Sequence, residues 1–308
     1  MLFVPLKQYK ASFRAYSSLM NLQKITEKLN AYARLMRLDK PIGILLLLWP
    51  TLWALLIATD GRLGGNVTLI FVIGTVLMRS AGCVLNDIAD QRYDGLVKRT
   101  RHRPMVSNQV SKKEAYALAT ILSLLAFALV CTLNELTVKL SVVALFLAAS
   151  YPLTKRFFAI PQAYLGIAFG FGIPMAFAAV TNTVPGVAWV LLLANVFWAM
   201  AYDTEYAMVD REDDLKIGIQ SSAITFGRFD VIAVMICYVI TLTLLAMVGQ
   251  WLSMKAVYYL GIALGASVAV YHYFLIRARE PHSCFKAFLG NSWFGLAVFA
   301  GVLGHYWL

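Results

Sequence analysis

The sequence predicts an all-α membrane protein whose nine transmembrane helices pack as one bundle. Of the 308 residues, 60% are hydrophobic and only 14% are charged, whereas soluble domains have about 25% charged residues. Apolar runs recur along the whole chain, and each is close to the roughly 20 residues with which a helix crosses a bilayer. Lys and Arg are concentrated in alternate connections between these runs, which is the distribution that orients a multi-pass membrane protein.

Nine apolar runs are long enough to be transmembrane helices. They cover residues 41–59, 66–86, 114–133, 137–153, 160–181, 186–203, 229–249, 255–276 and 284–307. The second and the sixth run end at clusters of acidic residues, and the fourth run is the shortest. Because the nine runs form one continuous series, we predict a single transmembrane domain over residues 21–308.

The distribution of basic residues along the chain supports the assignment of these runs as transmembrane helices. Eight Lys and Arg precede the first run, seven separate the second from the third, and two, three and three follow the fourth, sixth and eighth. The opposite side of the membrane has only Arg62, Lys139 and Lys255. This asymmetry places the N-terminus and the loops after the even-numbered helices in the cytoplasm, and nine spans then place the C-terminus outside. The net charge of +11 is thus explained by topology, and no nucleic acid is expected as a partner.

The N-terminal segment allows two interpretations. Residues 1–20 contain Lys, Arg and Ser but no acidic residue, which is typical of a mitochondrial transit peptide. We favour a disordered or additional segment before Met20, followed by an interfacial amphipathic helix at about residues 22–37. The expected location is therefore a bacterial inner membrane rather than the mitochondrial inner membrane. The four cysteines are scattered, which indicates neither a zinc site nor a disulfide framework.

Nine of the 16 acidic residues fall into two short stretches. On a helix they form two stripes, because residues spaced by four, seven or eight share a face. The first stripe is Asn86, Asp90 and Asp94, and the second is Asp203, Asp210 and Asp214. Like charges one turn apart repel, and neither stretch has enough cations close by in the sequence to neutralise it.

Such a density of hard oxygen ligands suits Mg²⁺, which completes its coordination with water and substrate phosphate. Solvated loop charges would explain either stretch alone. Both stretches, however, share the spacing, the membrane side and the position at the end of an even-numbered run. We therefore predict that the two stripes face each other and bind a diphosphate through Mg²⁺. The predicted metal ligands are Asn86, Asp90, Asp94, Asp210 and Asp214.

Basic residues near the stripes are candidates for binding phosphate oxygens. They are Lys98, Arg99, Arg101, Arg103, Lys155 and Arg156. Each of them alone is also explained by the positive charge of cytoplasmic loops, so only the whole set indicates a phosphate site.

The two acidic motifs resemble those of a known family. Asn86-Asp-x-x-Asp-x-x-x-Asp94 and Asp210-x-x-x-Asp214 are similar to the paired motifs of the UbiA superfamily of intramembrane prenyltransferases. Further segments are similar to the bacterial members that act on 4-hydroxybenzoate: residues 37–43, 45–53, 97–100, 173–179 and 201–218. The resemblance covers roughly residues 31–308. It departs from the family pattern at Glu212, where an aspartate is common, and the carboxylate is kept.

The resemblance implies a bundle around a central cavity that binds polyprenyl diphosphate, 4-hydroxybenzoate and Mg²⁺. It implies transfer of the polyprenyl group to the ring carbon ortho to the hydroxyl, with release of diphosphate, in ubiquinone biosynthesis. The expected chemistry is electrophilic aromatic substitution, in which metal and basic residues neutralise the leaving diphosphate and an apolar cavity excludes water. The expected catalytic residues are Asp90, Asp94, Asp210, Asp214 and Arg79.

Arg79 lies within the second run, seven residues before Asn86 and hence on the same helix face. An arginine at membrane depth is costly and usually faces the bundle interior with a partner. We favour the benzoate carboxylate, bound bidentately, as this partner. An ion pair with Asp203 or Asp87, or extension of the side chain to the membrane surface, is the alternative. Three nearby tyrosines can stabilise a substrate cation through their π faces: Tyr151, Tyr202 and Tyr206.

Two other functions are compatible with the sequence. One is a prenyltransferase of the same superfamily with another acceptor, such as a naphthoate, homogentisate or haem. The other is a membrane transporter, since charges within membrane segments also mark ion pathways. Acidic clusters confined to the cytoplasmic edge argue against transport, because transport sites lie near the bilayer midplane.

Overall fold

The structure is a computed structural model that describes residues 22–97 and 99–308. Within these ranges the chain forms α-helices and no strand. The helices are α1 (residues 22–35), α2 (Ile42–Ala58), α3 (Gly65–Asp94), α4 (Lys112–Val130), α5 (Glu135–Thr154), α6 (Pro161–Gly170), α7 (Gly172–Thr181), α8 (Gly186–Ile217), α9 (Ser222–Phe226), α10 (Asp230–Trp251), α11 (Ala256–Ile276) and α12 (Pro281–Trp307). A 3₁₀ turn at Gly227–Phe229 joins α9 to α10. The segment predicted over residues 1–20 lies outside the described ranges.

The all-α membrane class predicted from hydropathy is confirmed. In the described part of the chain, eight helical stretches are long and apolar enough to cross a bilayer. They include α6 with α7 as one stretch and α9 with α10 as another. The first predicted run corresponds to α2, which is also apolar but has only 17 residues. Each of the nine predicted runs therefore coincides with helix, and the chain is a multi-pass membrane protein.

The two helices that carry the acidic stripes extend beyond their apolar runs. The second run was predicted to end at residue 86, whereas α3 continues to Asp94. The sixth run was predicted to end at residue 203, whereas α8 continues to Ile217. Hydropathy marks where a helix leaves the hydrocarbon, but backbone hydrogen bonding continues until a stop signal is reached. For α8 this signal is Gly218, whose φ of 73° forms a left-handed C-terminal cap.

The fifth predicted run is a broken helix. Its two parts, α6 and α7, meet at Phe171. Pro174 has no N–H for the carbonyl of Gly170, and its ring crowds that carbonyl, which explains the break. Close packing of α7 on α2 depends on Gly172, because a Cβ there would lie 2.5 Å from Oγ1 of Thr51.

The core lies where α2, α8 and α12 meet. The Trp198 ring is centred 5.3 Å from those of Trp53 and Phe294, and all three side chains are fully buried. A second, smaller cluster packs α1 and the loop of residues 95–111 against α3 and α4, with Leu35 and Met105 at its centre. These two cores hold α3 and α8 on either side of the same cavity.

Candidate active site

A cavity of about 1530 Å³ opens between the helices that carry the two stripes. Its walls come from α2, α3, α4, α5, α6, α7, α8 and α12, and from the loop of residues 95–111. One end is polar, with Asp90 and Asp210 in the wall, and the other is apolar, with Phe71, Leu145 and Met175. Such a cavity exceeds the 300–1,000 Å³ of most small-molecule pockets, and it combines a charged head with a long apolar body.

Most residues predicted from the sequence line this cavity. They are Arg79, Asn86, Asp90, Asp94, Arg99, Arg103, Tyr151, Lys155, Tyr202, Asp203, Tyr206, Asp210 and Asp214. Two candidates do not belong to the wall. Arg101 is exposed and its Nε donates to Nε2 of His102 at 3.1 Å, and Arg156 donates to the carbonyl of Ala89 at 3.0 Å. Lys98 lies outside the described residues.

Basic side chains from loops bind the carboxylates of both stripes. Lys155 lies 3.2 Å from Oδ2 of Asp90 and donates to Oδ1 of Asn86 at the same distance. On α8, Asp210 accepts two hydrogen bonds from Arg99, at 2.5 and 3.0 Å. Asp90 and Asp210 are thus neutralised by partners distant in the sequence, and both partners are among the basic residues predicted near the stripes.

The side-chain oxygens of the two stripes are the kind of ligand that a hard divalent cation prefers. In this structure, basic side chains bind several of these carboxylates. Asn86 and the stripe aspartates supply amide and carboxylate oxygens on two facing walls, which are the ligand types of Mg²⁺. Within residues 22–97 and 99–308, no three acidic, His or Cys side chains converge as a ready-made metal site. Arg99 binds both oxygens of Asp210, whereas the ion pairs of Asp90 with Lys155 and of Asp94 with Arg103 involve Oδ2 alone.

Lys155 and Arg99 stay protonated. Burial disfavours the charged form of Lys155, but Tyr151, Asp90 and Asp203 outweigh this effect and raise its pKa. The pKa of Arg99 is raised in the same way, since Tyr206 and Asp210 outweigh burial. The ring of Tyr206 also lies 4.6 Å from the guanidinium carbon of Arg99. A fixed positive charge consequently lies between the two stripes.

Asp87 was not predicted as a site residue, and it is the centre of an ion-pair network. Its carboxylate is 2% exposed and accepts from Nη2 of Arg37 at 2.9 and 3.1 Å and from Nη1 of Arg103 at 3.0 Å. Arg103 also donates to Asp94 at 2.6 Å. Arg37, in the turn that follows α1, has a left-handed conformation with φ of 58°. Asp87 therefore ties α1, α3 and the 95–111 loop together below the site.

Arg79 has no carboxylate partner among the described residues. Its Nη1 contacts Sγ of Cys83, and its guanidinium carbon lies 5.7 Å from the centre of the Phe169 ring. Its Nε is buried and makes no hydrogen bond. Asp87, one of the two expected structural partners, is bound by Arg37 and Arg103 instead.

Asp203 has a polar neighbour that the sequence did not reveal. Gln162, in the first turn of α6, lies in the cavity wall with Asp203, and its Oε1 accepts from the backbone N–H of Ser222 at 2.9 Å. This glutamine has no spacing relation to the stripes, so only the fold brings it into the site.

The family model and the most similar proteins found by sequence comparison agree with one another. The model of the UbiA prenyltransferase family matches residues 47–298. A 4-hydroxybenzoate octaprenyltransferase of Azoarcus sp. (strain BH72) is 65% identical over 278 residues, which are 90% of this chain and 97% of that protein. One from Thiobacillus denitrificans (strain ATCC 25259 / T1) is 62% identical over 284 residues, covering 92% and 97%.

Solved structures share the fold. A UbiA homologue from Aeropyrum pernix K1 is 25% identical with a TM-score of 0.73, covering 84% of this chain and 97% of that one. A UbiA homologue from Archaeoglobus fulgidus, bound to GPP and Mg²⁺, is 19% identical with a TM-score of 0.67, covering 87% and 99%.

Proposed function

The chain belongs to the UbiA prenyltransferase family, and from this premise we propose that it is a 4-hydroxybenzoate polyprenyltransferase of ubiquinone biosynthesis. It transfers the polyprenyl group of a polyprenyl diphosphate to the ring carbon ortho to the hydroxyl and releases diphosphate. The observation that carries the proposal is one cavity into which two helices bring acidic stripes and into which α3 also brings Arg79. The identity of 60–65% to 4-hydroxybenzoate octaprenyltransferases supports the choice of acceptor.

The stripes are the proposed holders of Mg²⁺. The ligands would be Asn86, Asp90, Asp94, Asp210 and Asp214. Bound Mg²⁺ supplies Lewis-acid stabilisation of the diphosphate as its bond to carbon breaks. Lys155, Arg99 and Arg103, which bind the stripe carboxylates here, would then turn to the phosphate oxygens, because charge-assisted hydrogen bonds to phosphate are among the strong ones.

The apolar part of the cavity holds the prenyl chain and protects the reaction. The allylic C1–O bond breaks, the electron pair leaves with the diphosphate, and the delocalised cation is kept from water by apolar walls. The π faces of Tyr151 and Tyr206 at the polar end can stabilise its charge. The ring carbon of the acceptor attacks C1, and the ring then loses a proton.

Arg79 is the proposed anchor of the acceptor carboxylate. It lies in the cavity wall, two turns before Asn86, and has no acidic partner among the described residues. A planar guanidinium binds a carboxylate through two parallel hydrogen bonds. This contact fixes the benzoate, so that the ring faces the end of the cavity where the cation forms.

The distribution of Lys and Arg supports an orientation in the membrane. We assign the chain to a bacterial inner membrane, with the N-terminus and the loops of the site in the cytoplasm. Residues 21–308 would act as one transmembrane domain.

An assay of membranes tests the function. Membranes from cells producing the protein are given labelled 4-hydroxybenzoate and prenyl diphosphates of several lengths, with Mg²⁺ or with excess EDTA. We expect a labelled prenylated acid and free diphosphate only with Mg²⁺. Product formed in EDTA would contradict the metal-dependent mechanism, and prenylation of another acceptor but not of 4-hydroxybenzoate would contradict the acceptor assignment. Absence of diphosphate release with every acceptor would favour a transporter.

A further inference from the structure

A second, shallower groove lies on the outer surface of the bundle, between α10 and α11. It has a volume of about 340 Å³ and is lined by apolar side chains of α10 and by Tyr273 of α11. The α10 residues are Val231, Ile232, Met235, Ile236, Val239 and Ile240. At 1.5 Å per residue they extend about 14 Å along the helix. In a multi-pass membrane protein, such an exposed apolar groove faces the lipid chains.

The groove reaches the membrane surface on the side where the acidic stripes lie. Its α10 wall starts at Val231, the second residue of that helix, and Tyr273 lies in the last turn of α11. Only the short α9 and a 3₁₀ turn separate the start of α10 from the end of α8. An occupant of the groove can therefore keep its apolar part in the hydrocarbon and its polar end at this surface.

Two arginines, here called the groove arginines, lie at the surface end of the groove. Arg228 is in the 3₁₀ turn immediately before α10, and Arg277 follows α11, four residues after Tyr273 and hence on the same face. Both side chains belong to exposed residues. The two connections are in contact, because Nη2 of Arg279 donates to the carbonyl of Arg228 at 2.8 Å. Two positive charges thus flank one end of an apolar groove.

The acidic residues close to the groove arginines are engaged with other groups. Asp230 is fully buried, and its carboxylate binds Arg211 at 3.1 Å and Arg279 at 2.7 Å. Glu280 accepts from the hydroxyl of Ser283 at 3.4 Å. Among the described residues, neither groove arginine forms an ion pair with a carboxylate. Their guanidinium carbons instead lie over exposed phenylalanine rings, at 4.8 and 5.3 Å from the ring centres.

An apolar groove with two cations at its surface end matches a lipid that carries a net negative charge. Basic pockets between transmembrane helices bind the headgroups of such lipids, and guanidinium groups form strong charge-assisted hydrogen bonds to phosphate. We propose that this groove binds an anionic phospholipid of the adjoining leaflet, with an acyl chain along α10 and the phosphate between Arg228 and Arg277. A zwitterionic phospholipid is bound less well, because its own ammonium group repels the arginines.

Lipid retention by the purified full-length protein tests this site. The protein in detergent is incubated with phosphatidylglycerol or with phosphatidylcholine of the same acyl chains, and native mass spectrometry counts the bound lipid at each concentration. We expect phosphatidylglycerol to bind at least tenfold more tightly than phosphatidylcholine. Equal affinity for the two lipids would overturn the proposal, and so would a dimer of the chain that forms through this face and excludes lipid.

Charge variants test the headgroup contact. Arg228→Gln with Arg277→Gln removes both groove arginines, whereas Lys112→Gln with Lys113→Gln removes two exposed charges at the start of α4, on the same side of the membrane. We expect the arginine pair to weaken binding of phosphatidylglycerol about ten- to thirtyfold and to leave that of phosphatidylcholine unchanged. The lysine pair should bind as the wild type does. Equal losses in both double variants would show unspecific attraction and overturn the proposal.

A variant that fills the groove tests the acyl-chain contact. Ile236 lines the groove and is 52% exposed, and Met247, which is 51% exposed, lies elsewhere on α10. Ile236→Trp should weaken binding of phosphatidylglycerol at least fivefold although both arginines are kept, and Met247→Trp should not. Both variants should keep the Tm of the wild type without added phospholipid, because both side chains face outward. Unchanged binding in Ile236→Trp, or displacement of the lipid by equimolar inorganic phosphate, would overturn the proposal.

Discussion

Arg79 is a partly buried cation that forms no ion pair with a described carboxylate, although Asp203 is near enough to interact with it electrostatically. An arginine at membrane depth costs a few kcal/mol on insertion scales, and Nε of Arg79 is buried without a hydrogen bond. Residues that raise the free energy of the unliganded protein are expected where a ligand supplies the missing partner. The positive charge of Arg79 and its Nε without a hydrogen bond together match a carboxylate.

Replacing Arg79 by lysine tests this role. Lysine keeps the charge but loses the planar fork, so we expect Arg79→Lys to raise the KM for 4-hydroxybenzoate by about ten- to a hundredfold, with the KM for prenyl diphosphate unchanged. Steady-state kinetics with each substrate varied in turn measures both values. Arg92→Lys, an exposed position on the same helix, is the control. An unchanged KM for the aromatic acid in Arg79→Lys would refute the assignment.

The acidic run of α8 contains its own control for metal binding. Asp214 lines the cavity, whereas Glu212, two residues earlier, is exposed on another face of the helix. Asp214→Asn should lower activity by about a hundredfold or shift the Mg²⁺ dependence to higher concentrations, since a carboxylate ligand is lost. Glu212→Gln should titrate with Mg²⁺ as the wild type does. Equal Mg²⁺ titrations for the two variants would remove Asp214 from the metal site.

The elements of the site are held by ion pairs that bridge helices and loops. Asp87 joins the end of α1 to the 95–111 loop through Arg37 and Arg103, and the hydroxyl of Thr100 binds the carbonyl of Asp94 at 2.7 Å. These contacts fix the loop over the end of α3. The loop presents Arg99 and Arg103 to the two stripes, so its order is part of the site.

Asp87→Asn should loosen this loop. An amide accepts from one guanidinium but points its own NH₂ at the other, which costs about 1–3 kcal/mol. The penalty is smaller than for a fully buried pair, because both arginines are partly exposed. We expect trypsin to cut after Arg99 and Arg101 several times faster in Asp87→Asn than in the wild type. Asp60→Asn, in the loop between α2 and α3, is the control. Equal cleavage rates for Asp87→Asn and the wild type would show that Asp87 does not hold the 95–111 loop in place.

Helix α8 is fixed in rotation by a buried polar network on the face away from the cavity. Glu205 is 0% exposed and accepts from Nδ2 of Asn291 at 2.8 Å and from the hydroxyl of Tyr238 at 3.0 Å. His272 lies 3.3 Å from the same carboxylate. With Glu205 directed to α10, α11 and α12, the aspartates of α8 face the cavity.

Glu205→Gln should destabilise the bundle. A glutamine turns an NH₂ group toward donors that need an acceptor, and leaving a buried group unsatisfied costs about 1–3 kcal/mol. We expect thermal unfolding in detergent at a lower Tm than for Glu212→Gln, which changes an exposed residue of the same helix. Equal Tm values for the two variants would show that the network does not stabilise α8.

At the scale of the whole molecule, the sequence was sufficient to predict the features that depend on local periodicity. Hydropathy located the nine runs, and the helical period placed Asp90 and Asp94 on one face, because both signals lie within a single helix. The partners of the stripes could not be read in this way. The pair of Arg37 with Asp87 joins residues 50 positions apart, and Arg37 has a left-handed conformation in the turn after α1. The break at Phe171 follows from Pro174, yet hydropathy alone gives one continuous span.

The orientation of the bundle can be tested with a native cysteine. Cys131 follows α4 and is exposed, whereas Cys83, Cys237 and Cys284 are buried. The excess of Lys and Arg in alternate loops places the end of α4 on the outer side. A membrane-impermeant maleimide should therefore label the protein in right-side-out spheroplasts but not in inverted vesicles, and Cys131→Ser should abolish the label. The opposite result would put the acidic stripes on the outer face, where a diphosphate made in the cytoplasm could not reach them, since charged groups cross a bilayer at high cost.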